Sequence, residues 1–351
     1  MANTSSPQHK DSHRSLTRRS FGVLALGSFS ALALAACGSS NSSDSNASAS
    51  SASTSAKPAP SALPSGMGST AGDGEFPRTV KHFRGETKIE SAPKSVVILS
   101  TGQLDDVLAL GLVPIGAATA NDADLVPEYL KTKFSDKSAE LDKIAKVGKR
   151  TEPDLGAIAN LHPDLILINN TNKKEEIYDS LSKIAPTVVT EGTGHNWKQD
   201  FLMVASALGS LSKAEEMLKE YEDKAKKLGE KAGKEKTFSF LYAAGDRTRV
   251  YAKSSFVGSI CEDASLARPA VQQEGKTSID LSSENLDQAD GDYLFYGVQG
   301  GDESKLTSET LWESLKAVKE KHAHKVDSDM FYLNAGITAA LGVIEEIDKN
   351  I

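Results

Sequence analysis

From about Phe76 onward the apolar positions fall into two alternating rhythms. Val96-Val97-Ile98-Leu99 is a continuous apolar run rich in β-branched residues, the pattern of a strand buried on both faces. Leu104, Val107, Leu108 and Leu110 then recur at helical spacing and stop at Gly111, and Val113 to Ala118 reads as a second strand. The alternation repeats: Pro153 to Leu161 as helix, Leu165-Ile166-Leu167-Ile168 as strand, Ile177 to Ile184 as helix and Thr187-Val188-Val189 as strand. A long helix follows, with Ala214, Met217, Leu218, Tyr221, Ala225 and Leu228 on one apolar face, Lys and Glu on the other, and an end near Gly233. Ser212 and Glu215 have the spacing of a capping box at its start. Strands Thr237 to Tyr242 and Asp292 to Tyr296 come next, then a helix around Trp312 to Lys321. A closing helix runs through Ile337, Leu341, Ile344 and Ile347, with Asn334 as its expected cap.

Such alternation implies parallel sheets with crossover helices. The expected fold is α/β: two Rossmann-like lobes with mostly parallel sheets, joined by one long rigid helix, with a ligand cleft between them. The lobes are assigned to residues 76–210 and 235–351 and the connecting helix to 211–234. A continuous helix between lobes permits small hinge motion rather than wide opening.

The chain ahead of the body has a different character. Arg18-Arg19 stands before an uncharged run rich in Ala, Leu and Gly, from Phe21 to Ala36, which is short for a spanning helix and fits an export signal. Small residues at Leu34-Ala35-Ala36-Cys37 resemble a bacterial lipobox, which makes residues 1–36 the signal peptide, of twin-arginine type, and Cys37 the lipid-bearing first residue. Residues 37–75 read as a flexible tether: from Gly38 to Glu75 there are 13 Ser and 7 Ala, and only Leu63 and Met67 are large and apolar. The protein is therefore expected to be exported and lipid-anchored to the outer face of the cytoplasmic membrane.

Composition narrows the function. Of 351 residues, 39% are hydrophobic and 25% charged, which excludes wholesale disorder and a polytopic membrane protein. The net charge of −8 combines +3 within residues 1–36 with −11 beyond them, and so argues against nucleic acid as a partner. Two cysteines provide neither a disulfide scaffold nor a cysteine-built metal site, and Cys261 reads as a small buried hydrophobe. A nucleophile elbow, a His-Glu-x-x-His pair and a Walker loop are all missing, and the histidines are scattered, so no catalytic residue is assigned.

What remains is furniture for binding. In open α/β sheets ligands lie beyond the carboxyl ends of the strands. Those positions hold Thr101, Arg150, Lys173 and Trp197 in the first half, and Arg247, Arg249, Tyr251, Tyr296 and Tyr332 in the second. Arg and Lys suit an anionic or oxygen-rich ligand, each charged hydrogen bond contributing about 1.5–3 kcal/mol. Tyr and Trp suit flat or wrapped chelates.

The body, about residues 76–350, resembles the long-helix class of periplasmic binding proteins that serve iron–siderophore ABC importers. The resemblance is carried by Leu104-Asp105-Asp106-Val107-Leu108-Ala109-Leu110-Gly111, by Val147-Gly148-Lys149-Arg150-Thr151-Glu152-Pro153-Asp154-Leu155, by Leu161-His162-Pro163-Asp164-Leu165-Ile166-Leu167 and by Ile279-Asp280-Leu281-Ser282-Ser283-Glu284-Asn285-Leu286. It implies a monomer that captures a ferric siderophore between rigid lobes, without a cofactor or a directly bound metal. Delivery would be to an ABC permease and its ATPase. It also implies that an acidic residue on each lobe docks the permease. Glu284 falls at the second-lobe position, while the first-lobe position is Gly156, so Glu152 or Asp154 would substitute. The loop after the Leu165–Ile168 strand offers Lys173 where many siderophore binders place Arg, and Phe256 stands near another such position. The catecholate pattern is thus incomplete and the reading leans towards a hydroxamate or mixed chelate. The alternatives are a haem, cobalamin or metal-ion binder of the same fold, and a sensory or enzymatic lipoprotein outside transport.

Overall fold

The structure, a computed structural model, describes residues 58–120, 124–171 and 175–351. The export signal, Cys37 and the first part of the tether lie outside the described residues, as does Lys173. None of the described helices is long and apolar enough to cross a membrane.

A hairpin opens the body, β1 (Arg78–His82) pairing antiparallel with β2 (Gly85–Ile89). The first lobe is built on a six-stranded sheet comprising β3 (Val96–Ile98), β4 (Gly116–Thr119), β5 (Ala145–Lys149), β6 (Glu152–Pro153), β7 (Leu165–Asn169) and β8 (Thr187–Thr190), in the order β6-β5-β4-β3-β7-β8. All its pairings are parallel except that of the short edge strand β6. Every residue of β3, β7 and β8 is buried, as continuous apolar runs covered on both faces should be.

In the second lobe β9 (Phe238–Ala244), β10 (Arg247–Tyr251), β11 (Ser278–Leu281), β12 (Tyr293–Val298) and β13 (Ala323–Lys325) form a five-stranded sheet ordered β11-β10-β9-β12-β13. Here β9, β12 and β13 pair in parallel, while β10 pairs antiparallel with both β9 and β11 and alone runs against the rest. Both sheets are thus parallel-rich, as expected, and the antiparallel pairings lie toward one side of each.

The connecting helix spans Leu211–Ala232 and buries Ala214, Leu218, Tyr221, Ala225, Leu228 and Ala232, alternating steps of three and four residues. Against it pack the closing helix Ile337–Lys349 and the helices Trp197–Leu208 and Phe256–Asp263. At Gly229 an added Cβ would lie 2.0 Å from the Ala264 carbonyl oxygen, so this close approach of the Phe256–Asp263 helix requires glycine.

Several local expectations change. The Trp197–Leu208 helix buries ten of its twelve residues, so no polar face announces it in the sequence. The region expected as a helix from Trp312 to Lys321 is instead a 3₁₀ turn, Trp312–Ser314, and a helical turn, Lys316–Lys319. Between them Leu315 is extended and buried, and the Asp290 carboxylate accepts from the Lys316 and Ala317 amides to start the second turn. The closing helix begins at Ile337 rather than next to Asn334, and its first amides are taken by lobe-one carboxyls, not by its own cap residue.

The last part of the stretch read as tether is held against the body. Ser69 N–H donates to Ser206 Oγ at 2.8 Å, Gly74 N–H donates to the Gly209 carbonyl at 2.9 Å, and the His195 ring donates to the Pro58 carbonyl. Leu63 packs where two core clusters meet. Asp73 then caps the connecting helix: its carboxylate accepts from Leu211 N–H at 2.9 Å and Ser212 N–H at 3.0 Å, replacing the capping box expected from Ser212. The Arg78 guanidinium locks this turn by donating to the Ser206, Gly72 and Glu75 carbonyls. A segment poor in apolar side chains is thus ordered through its backbone and a few polar anchors.

Candidate functional site

The carboxyl ends of β3, β5, β7 and β8 deliver Ser100 to Gly102, Arg150, Asn169 to Thr171, and Thr190 to one end of the first lobe. There the chain ahead of the closing helix meets it. Gly102 has φ +85°, and an added Cβ would stand 2.2 Å from the Ala335 carbonyl oxygen, so the two segments touch backbone to backbone. Two cavities adjoin this seam. One, of about 100 Å³, is bordered by Gly102, Asp124, Arg150, Asp329 and Asn334. The other, of about 180 Å³, is bordered by Thr101, Gln103, Asp106, Asn169, Asp200 and Ala335 among others.

Arg150 borders the first cavity and donates through Nη1 to Thr101 Oγ1, bringing together two residues picked from the sequence. Its Nε has no partner among the described residues. Burial lowers its pKa, and the nearby carboxylate of Asp329 acts in the opposite direction. Asp329, from the second lobe, has its own pKa raised by burial and by Asp327 and Asp124, with Arg150 counteracting. The two lobes therefore face each other here through a cation and a reluctant anion.

On the second lobe, sheet alternation sorts the candidates. Arg247, Arg249 and Tyr251 on β10 share a face with Phe238, Phe240 and Tyr242 on β9 and with Tyr293 and Phe295 on β12, while Leu241, Val250, Leu294, Tyr296 and Val298 face the opposite core. Tyr242, Tyr251 and Tyr332 form an aromatic cluster: Tyr242 stacks on Tyr332 at 5.3 Å between centroids, and Tyr251 meets Tyr332 at 4.9 Å. Tyr332 Oη donates to the Phe295 carbonyl at 2.8 Å. Arg249 pairs in register with Tyr242, and its Nε has no partner among the described residues. Burial pushes the Tyr251 phenol up to about 12, with the charge of Arg249 pulling it down. Burial raises the Tyr242 pKa as well, with the charge of Asp329 adding to it and that of Arg249 opposing it.

The other sequence candidates lie elsewhere. Trp197 is 1% exposed; its Nε1 donates to Ser259 Oγ at 3.1 Å and its ring meets Tyr221 and Phe256 edge-on, so only its rim borders the larger cavity. Phe256 is buried in that same packing. Tyr296 is turned to the far face, where it donates to Glu303 at 2.8 Å and packs on Trp312. Arg247 is exposed, with its fork engaged by Asp280 at 2.6–3.2 Å. Glu284 and Glu152 are both exposed, whereas the Asp154 carboxylate caps its own helix at Ala157 N–H. Among the described residues no group of three or more His, Cys, Asp and Glu is arranged to hold a metal ion.

Sequence reasoning passed over Gln103, Asp105, Asp106, Tyr129, Asp200, Tyr242 and Asp329. Asp105 and Asp106 follow Leu104 on an amphipathic helix, where acids read as solvated. Both are buried. Asp105 accepts from Thr338 N–H at 2.8 Å, Ala339 N–H at 2.9 Å and Tyr129 Oη at 3.0 Å, and so caps the closing helix from the other lobe.

A second tie crosses the hinge. Lys198 Nζ donates to both oxygens of Asp263 at 2.9 and 2.7 Å, and Tyr221 Oη donates to the same carboxylate at 2.8 Å. Three helices, one of them the connecting helix, are joined at that carboxylate.

Two α/β lobes hinged on one long helix, with Arg150 and Asp329 bordering one cavity at the seam and a tyrosine cluster in the second lobe that includes Tyr332, three residues on from Asp329, define a lobed ligand-binding protein of the single-helix class. The chain matches the family model described as periplasmic binding protein over residues 96–330, and it belongs to that family, one of substrate-binding proteins. It is 34% identical over 289 residues to a probable siderophore-binding lipoprotein of Bacillus subtilis, YfiY, covering 77% of this chain and 86% of that one. It is 28% identical over 300 residues to the Fe(3+)-citrate-binding protein YfmC of the same organism, covering 83% and 91%. Among solved structures it is similar to Staphylococcus aureus SirA complexed with staphyloferrin B, with a TM-score of 0.66 and 28% identity over 78% of this chain and 97% of that one.

Proposed function

We propose that this protein is the extracytoplasmic substrate-binding component of an ABC importer, capturing a ferric siderophore at the lobe seam and delivering it to a permease. The observation that carries the reading is Arg150 beside Asp329 in a cavity at the seam, with a tyrosine cluster in the second lobe on whose sheet Arg249 pairs in register with Tyr242, in a chain whose relatives include a probable siderophore-binding lipoprotein and an Fe(3+)-citrate-binding protein. A ferric chelate is anionic or oxygen-rich at its rim and partly apolar around its arms. Guanidinium forks suit the first property and phenol rings the second. Thr101, Arg150, Arg249, Tyr251 and Tyr332 form the proposed contact set, joined by Tyr242. Lipid on Cys37 holds the protein at the membrane, and Glu284 with Glu152 meets the permease.

The test is a fluorescence titration of the chain from Gly38 to Ile351, which retains the ordered segment from residue 58. Trp197 lies at the hinge and reports lobe movement. Ferric hydroxamate, catecholate and citrate chelates are added, with haemin and cobalamin as controls. Saturable sub-micromolar quenching by one ferric class supports the proposal and names the chemistry. Quenching by haemin or cobalamin alone transfers the site to a macrocycle, and silence from folded protein removes transport of any of these ligands.

A further inference from the structure

We propose that the 180 Å³ cavity beside Thr101 is a subsite for a protonated amine carried by the bound chelate, with Asp106 as the carboxylate that meets it and Gln103 as donor to an oxygen of the same ligand arm. This rests on the siderophore-binding reading and specifies the ligand further.

The cavity holds one orphaned acceptor and one orphaned donor. Asp106 is 2% exposed, and while the Ile337 amide bonds to its carboxyl, its Oδ1 has no partner among the described residues. Gln103, one helical turn earlier, is also 2% exposed. Its Oε1 accepts from Leu99 N–H at 3.2 Å and Ser100 N–H at 3.0 Å, which fixes the amide and leaves Nε2 without a partner among the described residues. Buried polar atoms are seldom left unpaired, so two in one cavity mark a place where something polar is to be received. Asp200 supplies a second carboxyl, held rigid by Glu191 N–H at 2.9 Å and Gly192 N–H at 2.8 Å. Asn169, Thr190 and Thr193 complete an oxygen-rich wall.

No basic side chain among the described residues lines this cavity. Burial raises Asp106 well above the ordinary carboxyl range, with the charges of Asp105 and Asp200 adding to it, and burial with a smaller push from Glu191 takes Asp200 up to about 7. An ammonium entering between them would return them to the ionised form. The volume suits an arm of a few heavy atoms, not a whole chelate, since pockets for complete small ligands run to roughly 300–1,000 Å³. Arg150 borders the neighbouring cavity across the seam. The site is thus divided, with a cationic half for the metal-bearing end and an acidic half for an amine-bearing end.

The experiment compares two probes differing only in one charge: the ferric complex of a linear trihydroxamate with a terminal primary amine, and the same complex N-acetylated. An equivalent pair is built on a hydroxycarboxylate chelator. With the chain from Gly38, the amine form should bind at least tenfold more tightly than the acetylated form. Asp106→Asn should bring the two within twofold of each other at an unchanged thermal midpoint. Equal affinities in the unaltered protein overturn the subsite alone, leaving a cavity that holds water. A tenfold preference surviving Asp106→Asn also overturns it. If folded protein ignores every ferric chelate, the siderophore reading falls first and the subsite with it. The comparison in the unaltered protein needs no variant to fold.

Discussion

Removing the Asp263 carboxylate should be among the most damaging single changes outside the core. Lys198 has only 3% of its side chain exposed, and Asp263 24%. The carboxylate accepts two bonds from the Lys198 ammonium and one from Tyr221. Asp263→Ala leaves a buried ammonium without its counter-charge and a buried phenol without its acceptor. Breaking a buried pair from one side costs about 3–5 kcal/mol. At roughly 1.5–2 °C per kcal/mol for a body of this size, the midpoint of thermal unfolding should drop by roughly 5–10 °C. Urea unfolding followed by tryptophan emission measures the free energy directly, because Trp197 is next to Lys198 in the chain. The double variant Lys198→Met, Asp263→Ala removes the stranded charge and should recover more than half of the loss. A loss below 1 kcal/mol for Asp263→Ala, or a double variant no better than the single, would refute the reasoning.

Four further outcomes are expected. Asp73→Ala should cost about 1 kcal/mol by uncapping the connecting helix, and a chain begun at Phe76 should lose more; equal urea midpoints for all three would show that the segment adds nothing. His82 is buried, its Nδ1 accepts from Arg84 N–H and its Nε2 lies 2.9 Å from Thr87 Oγ1, and burial lowers its pKa to about 4. The unfolded chain takes up that proton near 6.5, so stability should fall between pH 6.5 and 4 by at most about 3 kcal/mol, and His82→Gln should flatten that part of the profile. Arg249→Ala should weaken chelate binding by roughly 10–100-fold without lowering the unfolding midpoint, and unchanged affinity would take Arg249 out of the site. Glu284→Ala should leave binding in solution intact yet slow uptake by cells; normal uptake would mean that docking uses other residues.

The elements with a clear rhythm were legible in the chain itself. The connecting and closing helices repeat apolar residues every three or four positions because each packs one stripe, and β3, β7 and β8 read as unbroken apolar runs because each is covered on both faces. The family resemblance followed from ordered short motifs in the same way. What the chain could not disclose depended on which surface covers which. Tyr296 and Tyr332 look alike in sequence, yet the register of β12 turns Tyr296 to the outer core while Tyr332 joins the tyrosine cluster. Trp197 follows a strand, as cleft residues do, but it opens a helix buried nearly all round and packs at the hinge. Residues 58–75 read as tether because order there comes from backbone bonds and from caps such as Asp73, reaching 138 and 139 residues along the chain. Asp105 makes the point most directly. A carboxylate in an amphipathic helix reads as solvated until its acceptors are matched to the Thr338 and Ala339 amides, 233 and 234 residues away. Local pattern determines secondary structure because it reflects burial along one element. The partners of buried polar groups are decided only when distant segments meet, because a charge is stable in the interior only where the whole fold brings its hydrogen bonds.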